Sequence, residues 1–330
     1  MKVLITGSEG FLGSAVSIAV ASDKRQLVVC SDIRPHNKDL WRNTKEEQNI
    51  SAFVKLDIAQ PDAIREIATI KPEAVIHLAA TPNQRRCDSD PQTCLETNII
   101  GTYNTLAGAI QAKSRLFVLA SSQIVYGKPR CSTMTEQHQQ SPDNLYGLTK
   151  LAAETLVGIT KRNSEMKCIV LRYSSLYGKG VVKQTNDVVG RFVNNAFQGV
   201  IRVIKPRNLK SPGIQEIDLL HVTDAATATA LIVRDYRTIE ESVLNVSSGK
   251  GTSVMTLARC VARQVKKEFG RNVQIMPLNS DQDEPKRRVS SNLRLRRTLG
   301  WTPRIDLETG VSEIVSEMRM EGLLAKCGSP

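Results

Sequence analysis

Tyr146 and Lys150 stand four residues apart in Tyr146-Gly147-Leu148-Thr149-Lys150. At that spacing two side chains share one face of a helix, one turn from each other. An ammonium so placed favours the phenolate and lowers the phenol's pKa. A phenol tuned toward neutral pH can pass a proton to or from a substrate hydroxyl while hydride moves to a cofactor. The same two residues also describe an ordinary surface helix face, so their meaning rests on the elements that place them.

The N-terminus supplies the first of these. Val3-Leu4-Ile5 is a short apolar run suited to a buried strand, and Thr6-Gly7-Ser8-Glu9-Gly10-Phe11-Leu12-Gly13 follows it. Phe11, Leu12, Ala15, Val16, Ala19 and Val20 then repeat at helical spacing. In a strand-turn-helix, Gly7 permits the tight turn, Gly10 lets backbone approach a pyrophosphate and Gly13 lets helix pack on strand. The helix N-terminus then faces the phosphates. A second strand, Leu27 to Cys30, ends near Asp32, about 20 residues on, where a carboxylate can accept from ribose hydroxyls. Asp32 favours NAD because it would repel a 2′-phosphate, and Arg34 leaves NADP open. A plain strand-turn-helix with a surface Asp is the alternative.

Further strands are expected at Ala52 to Leu56, Ala74 to Leu78, Leu116 to Leu119 and Cys168 to Arg172. A basic irregular loop fills 34–50, helices begin at Pro61 and at Ser141-Pro142, and 91–113 is helical. Repeated strand-helix units imply an α/β protein with a Rossmann-type, doubly wound parallel sheet, whose ligands bind beyond the carboxyl ends of the strands. Gly7, Asp32, Asp57, Ala80 and Ser122 each follow a strand and would meet Tyr146 and Lys150 there. His77, embedded in an apolar strand, reads as a satisfied core histidine rather than a catalytic base. Residues 1–175 form the nucleotide-binding domain. Residues 176–330, with helices near 186–198, 223–234 and 253–268, form a smaller α/β substrate-binding cap, some chain returning to the core sheet around 215–235.

The net charge of +12 over 330 residues suits anionic ligands such as nucleotides and diphosphates. Aromatics are only 4%, too few for platforms that stack single-stranded nucleic acid. The acid-free run from Lys286 to Arg297 reads as a solvated face or a phosphate-contacting segment, and no nucleic-acid motif accompanies it. The seven cysteines are scattered without a C-x-x-C pair, so no metal site is expected and free thiols in a reducing cytosol are the expectation. No leader and no apolar stretch of membrane-spanning length is present, so a soluble cytoplasmic protein is expected.

With these residues assembled, the chain resembles the extended short-chain dehydrogenase/reductase family, in its nucleotide-sugar epimerase/dehydratase group. The resemblance spans nearly the whole chain: Gly7/Gly10/Gly13, Asp32, Asp57-Ile58, His77-Leu78-Ala79-Ala80, Asn98-x-x-Gly101-Thr102, Ser121-Ser122-x-x-Val125-Tyr126-Gly127, Tyr146-x-x-x-Lys150, Leu171-Arg172-Tyr173, Tyr177-Gly178, His221-Val222-x-Asp224 and Leu299-Gly300-Trp301-x-Pro303. It implies Tyr146 as general acid/base, Lys150 as the residue that binds the nicotinamide ribose and lowers the Tyr146 pKa, and Ser122 as hydrogen-bond partner of the reacting oxygen.

It further implies NAD contacts from Gly7, Glu9, Gly10, Phe11, Leu12, Gly13, Asp32, Ile33, Arg34, Asp57, Ile58, Leu78, Ala79, Ala80, Asn98, Ser121, Tyr146, Lys150, Tyr173 and Ser175. The implied substrate wall is Thr81, Arg85, Ser122, Gln123, Ile124, Tyr146, Ser175, Arg191, Arg207, Ile217 and Arg287. Dehydratases of the group follow the Ser/Thr with an Asp-Glu pair, and decarboxylating members keep a Glu at the second position. Gln123 and Ile124 stand there, which leaves the pattern of 4-epimerases and simple oxidoreductases. Two positions depart from the group: Ile217 replaces a frequent diphosphate-holding Arg, and Ser175 replaces an Asn. An NDP-sugar epimerase is thus the first reading, an NAD(P)-dependent dehydrogenase or ketoreductase the second, and a non-catalytic NAD-binding regulator the third. The resemblance also implies a homodimer built as a four-helix bundle from the helices before Lys113 and after Tyr146.

Overall fold

The computed structural model describes residues 1–36, 49–129, 132–180 and 188–320. In chain order the core elements are β1 (Lys2–Thr6), α1 (Phe11–Ala21), β2 (Leu27–Asp32), β3 (Ile50–Lys55), α2 (Ala63–Ile70), β4 (Ala74–His77), α3 (Gln84–Ser89), α4 (Pro91–Leu95), a π-helical turn (Glu96–Ile100), α5 (Gly101–Gln111), β5 (Leu116–Ser122), a 3-10 turn (Gln123–Tyr126), α6 (Leu145–Asn163) and β6 (Lys167–Tyr173). There follow β7 (Ser175–Tyr177), α7 (Val188–Phe197), β8 (Val200–Lys205), β9 (Glu216–Ile217), β10 (Leu219–His221), α8 (Val222–Asp235) and β11 (Val243–Val246). The last described elements are β12 (Thr252–Ser253), α9 (Val254–Phe269), β13 (Gln274–Asn279), β14 (Arg287–Arg288), α10 (Leu293–Leu299) and α11 (Leu307–Met320).

Seven strands make one sheet in the order β11-β6-β5-β4-β1-β2-β3, and every neighbouring pair is parallel. Parallel pairing requires crossovers, and helices on both faces supply them. Ile5, Val118 and Leu171 pack with Val16, Val20, Ala225 and Ile232 of α1 and α8 on one face. Leu4, Phe117 and Val170 pack with Ile67, Leu106 and Ala153 of α2, α5 and α6 on the other. Burial on both faces is why the strands read as continuous apolar runs rather than alternating ones. Strand order reverses between β1 and β4, which opens a crevice at their carboxyl ends.

The cap has its own core. Phe192 and Val193 of α7, Ile201 and Val203 of β8, Leu257 and Val261 of α9 and Ile314 of α11 pack together. β8 and β13 form a parallel pair beneath them.

Several boundaries differ from the sequence expectation. The returning strand of the main sheet is β11, at Val243–Val246, while the 215–235 segment contributes β10, paired with β7, and α8, packed on α1. Leu295 and Trp301, near the C-terminus, also join the main core. The Tyr146 helix begins at Leu145, not at Ser141-Pro142, because Asn144 caps it: its side-chain oxygen accepts from Gly147 N–H at 2.9 Å. The helix after Pro61 starts at Ala63. The helical stretch from Pro91 contains the π turn, an insertion that local propensity does not signal.

The cysteine expectation is corrected at two positions. Cys87 and Cys94 form a disulfide between α3 and α4, while Cys30, Cys168 and Cys260 are free and buried. Two short helices folded against each other bring sulfurs together that a spacing of seven residues does not reveal. Cys131, Cys327 and most of the loop expected at 34–50 lie outside the described residues. Among those described, no helix is long and apolar enough to cross a membrane, and no cluster of His, Cys, Asp or Glu could hold a metal.

Candidate active site

The glycine loop closes against backbone. Gly7 adopts φ +72°, and a Cβ there would lie 2.6 Å from Ala79 N; a Cβ at Gly13 would lie 1.9 Å from Gly7 O. Only hydrogen fits at either point, so the loop, α1 and the end of β4 meet at backbone distance. Glu9 N–H donates to Asp32 Oδ2 at 3.0 Å, which ties the loop to the end of β2. The Glu9 carboxylate itself meets His36 at 3.2 Å. Arg34 folds back, its Nε and Nη2 each 3.1 Å from the Asp32 carboxylate. A Cβ at Gly10 would be 3.6 Å from Arg34 Nη2. Asp57 accepts from Ala59 N–H, and buried Ile58 packs against Gly101. Leu12 and Leu78 pack on the main core, Phe11 leans on the cap core, and Ile33 is exposed. A cradle that a side chain would fill, a helix N-terminus behind it and a carboxylate at the next strand end fit a dinucleotide.

His77 lies within this edge and is satisfied. Its Nδ1 is 2.8 Å from Thr6 Oγ1 and its Nε2 is 3.1 Å from Thr102 Oγ1. The Thr102 hydroxyl donates to Asn98 O at 2.7 Å, so Nε2 carries the proton and Nδ1 accepts. Burial, with the Lys150 charge behind it, pushes the imidazole down to about 3. It is a neutral core histidine, as its apolar strand suggested.

Tyr146 and Lys150 rise from the first turns of α6 beside the end of β5. Ser122 stands near enough to the Tyr146 phenol to lower its pKa, and the Lys150 Nζ lies 5.9 Å from the Tyr146 ring centroid. Burial pushes the phenol up to about 12, partly offset by Ser122. Burial also pulls the Lys150 amine down to about 8, against the Glu154 charge. Lys150 donates to Ala120 O at 2.9 Å. Burial therefore dominates the phenol, and Ser122 rather than Lys150 is the group that opposes it.

Some expected site residues point elsewhere. Ser121 Oγ donates to Glu154 Oε1 at 2.5 Å, and Glu154 pairs with buried Arg172 at 2.6 Å. The Tyr173 hydroxyl meets Thr229 of α8 at 2.6 Å. The Asn98 amide is used by protein groups: Oδ1 accepts from Thr81 N–H at 2.8 Å, and Nδ2 donates to Thr149 Oγ1 at 2.9 Å. These three groups hold the edge together rather than face into it. Ser175 N–H donates to Asp218 O, which pins β7 to the cap entry.

A polar cavity of about 550 Å³ opens beside this cluster. Ile124 and Asn144, from the turn after Ser122 and the cap of α6, line it; Lys128, Arg207 and Arg288 supply its cations, and Asp143, Asp281, Asp283 and Glu284 its acids. Gln123 is buried, its Oε1 accepting from Ser290 Oγ at 3.0 Å. Arg207 pairs with Asp283 at 3.0 Å, and Arg287 pairs with Glu216 and donates to Ser132 O. Arg85 and Arg191 are exposed on α3 and α7.

Arg288 is the residue the sequence reading missed. It pairs in register with Ile217 across β14 and β9, so a cation faces the place where Ile217 lacks one. Burial pulls its guanidinium down, with Asp143 and Glu284 opposing, and it has no hydrogen-bonded side-chain partner among the described residues. Nothing local separates Arg288 from Arg287; the strand register does. Asp218 was also missed. It is buried, its carboxyl raised by that burial, and it gathers N–H groups of Ser248, Gly249 and Ser290.

Comparison with known proteins adds a frame to this geometry. The sequence model described as the NAD dependent epimerase/dehydratase family matches residues 3–247. The UDP-glucose 4-epimerase of Rhizobium meliloti is 27% identical over 323 residues, covering 93% of each chain. The dTDP-glucose 4,6-dehydratase 1 of Escherichia coli is 27% identical over 339 residues, covering 96% of this chain and 92% of that one. Among solved structures, the UDP-glucose 4-epimerase of Thermus thermophilus in complex with NAD superposes with a TM-score of 0.80 at 24% identity, covering 97% of this chain and 99% of that one.

Proposed function

The chain belongs to the NAD dependent epimerase/dehydratase family, and we propose that it is an NAD-dependent sugar-nucleotide epimerase. Within the family, the observation that supports an acid/base reading is the Tyr146 phenol, with Ser122 near it and Lys150 on the same helix face. When bound, NAD supplies a hydride acceptor that becomes the donor of the return step. Tyr146 would take the proton of a sugar hydroxyl as the carbinol becomes a ketone, and return it after the sugar has turned over. Ser122 would hold the reacting oxygen. Lys150 would bind the nicotinamide ribose, and its charge would act on the phenol more strongly once water is excluded. Gln123 and Ile124 bear no acid, so neither elimination of water nor loss of a carboxylate has its proton donor at those positions. In this mixed-charge wall Arg288, which has no hydrogen-bonded acid among the described residues, suits a nucleoside diphosphate, because a guanidinium can bind phosphate oxygens bidentately.

The test is cofactor behaviour. Purified protein is expected to retain NAD and to interconvert a UDP- or dTDP-sugar epimer pair without net NADH. Stoichiometric formation or consumption of NADH would replace the epimerase by a dehydrogenase or ketoreductase at the same site. Exposed Leu95, Ile100, Tyr103 and Ile110 on the helix before Lys113, with Leu148 and Ile159 on α6, support a homodimer through those helices. Sedimentation should return twice the chain mass; a monomer would dismiss that face.

A further inference from the structure

We propose that the Cys87–Cys94 disulfide is a positioning device for Tyr146, acting through Asn98 and Thr149. The proposal rests on the reading of Tyr146 as the reacting phenol. Both sulfurs lie fully buried against one atom, Asn98 Nδ2, at 3.5 Å for Cys94 and 4.0 Å for Cys87. That nitrogen has two hydrogens. The oxygen acceptors in reach are Thr149 Oγ1 at 2.9 Å and Thr81 O at 3.2 Å, so the sulfurs serve as a wall behind it. Thr149 Oγ1 in turn donates to the backbone carbonyl of Tyr146 at 2.9 Å. On the other side Asn98 Oδ1 accepts from Thr81 N–H. A single amide thus joins the loop after β4 to the residue that bears the phenol, and the disulfide fixes where that amide can sit.

The π turn explains how the amide reaches. Glu96–Ile100 places Asn98 inside a helix with an expanded turn, aimed at α6. Its position then depends on α4 just before it, which the bridge ties to α3. Reduction by a dithiol breaks the S–S bond, gives each cysteine a proton and leaves the dithiol oxidised to its own disulfide. The two thiols must then separate to non-bonded distance among fully buried neighbours. Each also gains an S–H donor beside Thr149 and Thr81, whose oxygens Asn98 uses: Cys94 Sγ is 4.0 Å from Thr149 Oγ1 and Cys87 Sγ is 3.8 Å from Thr81 O. The reduced state therefore loosens Asn98, and with it the start of α6.

Full-length protein purified without reductant would be alkylated in denaturant and mapped by mass. Cys87 and Cys94 should resist while the other cysteines label; free thiols at both positions would overturn the proposal. Amide hydrogen exchange would then compare the native chain, the dithiothreitol-reduced chain and Cys87→Ala/Cys94→Ala. Exchange at least tenfold faster is expected at 81–98 and at 145–150, with β1 and β5 unchanged, and reoxidation should restore the slow rate. Faster exchange confined to 84–95 would make the bridge a local staple only and overturn the proposal. In turnover, kcat should fall about tenfold with KM for the sugar nucleotide within threefold. If the native chain turns over no sugar nucleotide, the proposed function fails, and the exchange at 145–150 still decides the positioning role.

Discussion

The cofactor edge and the cap wall are built by different means. At the cofactor edge the contacts are backbone to backbone or backbone to a single side chain: Gly7 on Ala79, Gly13 on Gly7, Glu9 N–H on Asp32. Such contacts follow from small or acidic residue types at strand ends, which are legible one strand at a time. On the cap wall, long basic side chains come from distant segments, and most are occupied by acids: Arg207 by Asp283, Arg287 by Glu216. There, the identity of the useful cation depends on which one lacks a partner. The edge teaches that geometry can be specified by what a residue omits, and the wall that charge is specified only after pairing.

The largest expected effect breaks the edge at its chemistry. Tyr146→Phe should lower kcat by about 10³-fold, within the range for lost acid/base catalysis, while NAD affinity measured by calorimetry stays within threefold. Retained turnover would remove Tyr146 from its role. Next comes the wall. Arg288→Met should raise KM for a sugar nucleotide by roughly 10–100-fold, the loss of a charged hydrogen bond of about 1.5–3 kcal/mol. Arg207→Met, whose exposed pair with Asp283 contributes little, should change KM less than about threefold. Equal losses at both would mean that pairing does not select the cation.

A last effect, on stability and not on turnover, sharpens the rigidity of the edge. His77 has a folded pKa of about 3, below its ordinary value. Folded protein then binds no proton there while unfolded chain does, so stability is intact above about pH 6.5 and falls as pH drops toward 3. The slope is about 1.4 kcal/mol per pH unit. Denaturant midpoints taken from about pH 6.5 to 4 should show a stability loss steeper by about this slope in the native chain than in His77→Gln. Parallel curves would show that His77 accepts a proton in the fold.

Much of the edge was legible before folding was considered. Buried parallel strands announce themselves as apolar runs, with Gly7, Gly10, Gly13 and Asp32 at or just past their ends and Tyr146 and Lys150 on the helix beside one of them. Ser121 and Tyr173 show the limit. They sit at the right strand ends, yet Glu154 and Thr229 draw their hydroxyls away. A strand end fixes where a residue is; its neighbours on other elements decide where its side chain goes.

The sequence by itself determined the parallel α/β sheet, the glycine cradle and the helical pairing of Tyr146 with Lys150, because each depends on residue type within a few positions. The tertiary structure alone decided the return of β11 to the sheet, the Cys87–Cys94 bridge beside Asn98, the Arg288–Ile217 register and the burial that holds the phenol at about 12. Those features join residues far apart in the chain or depend on how much water remains around a group, and neither is set by local spacing.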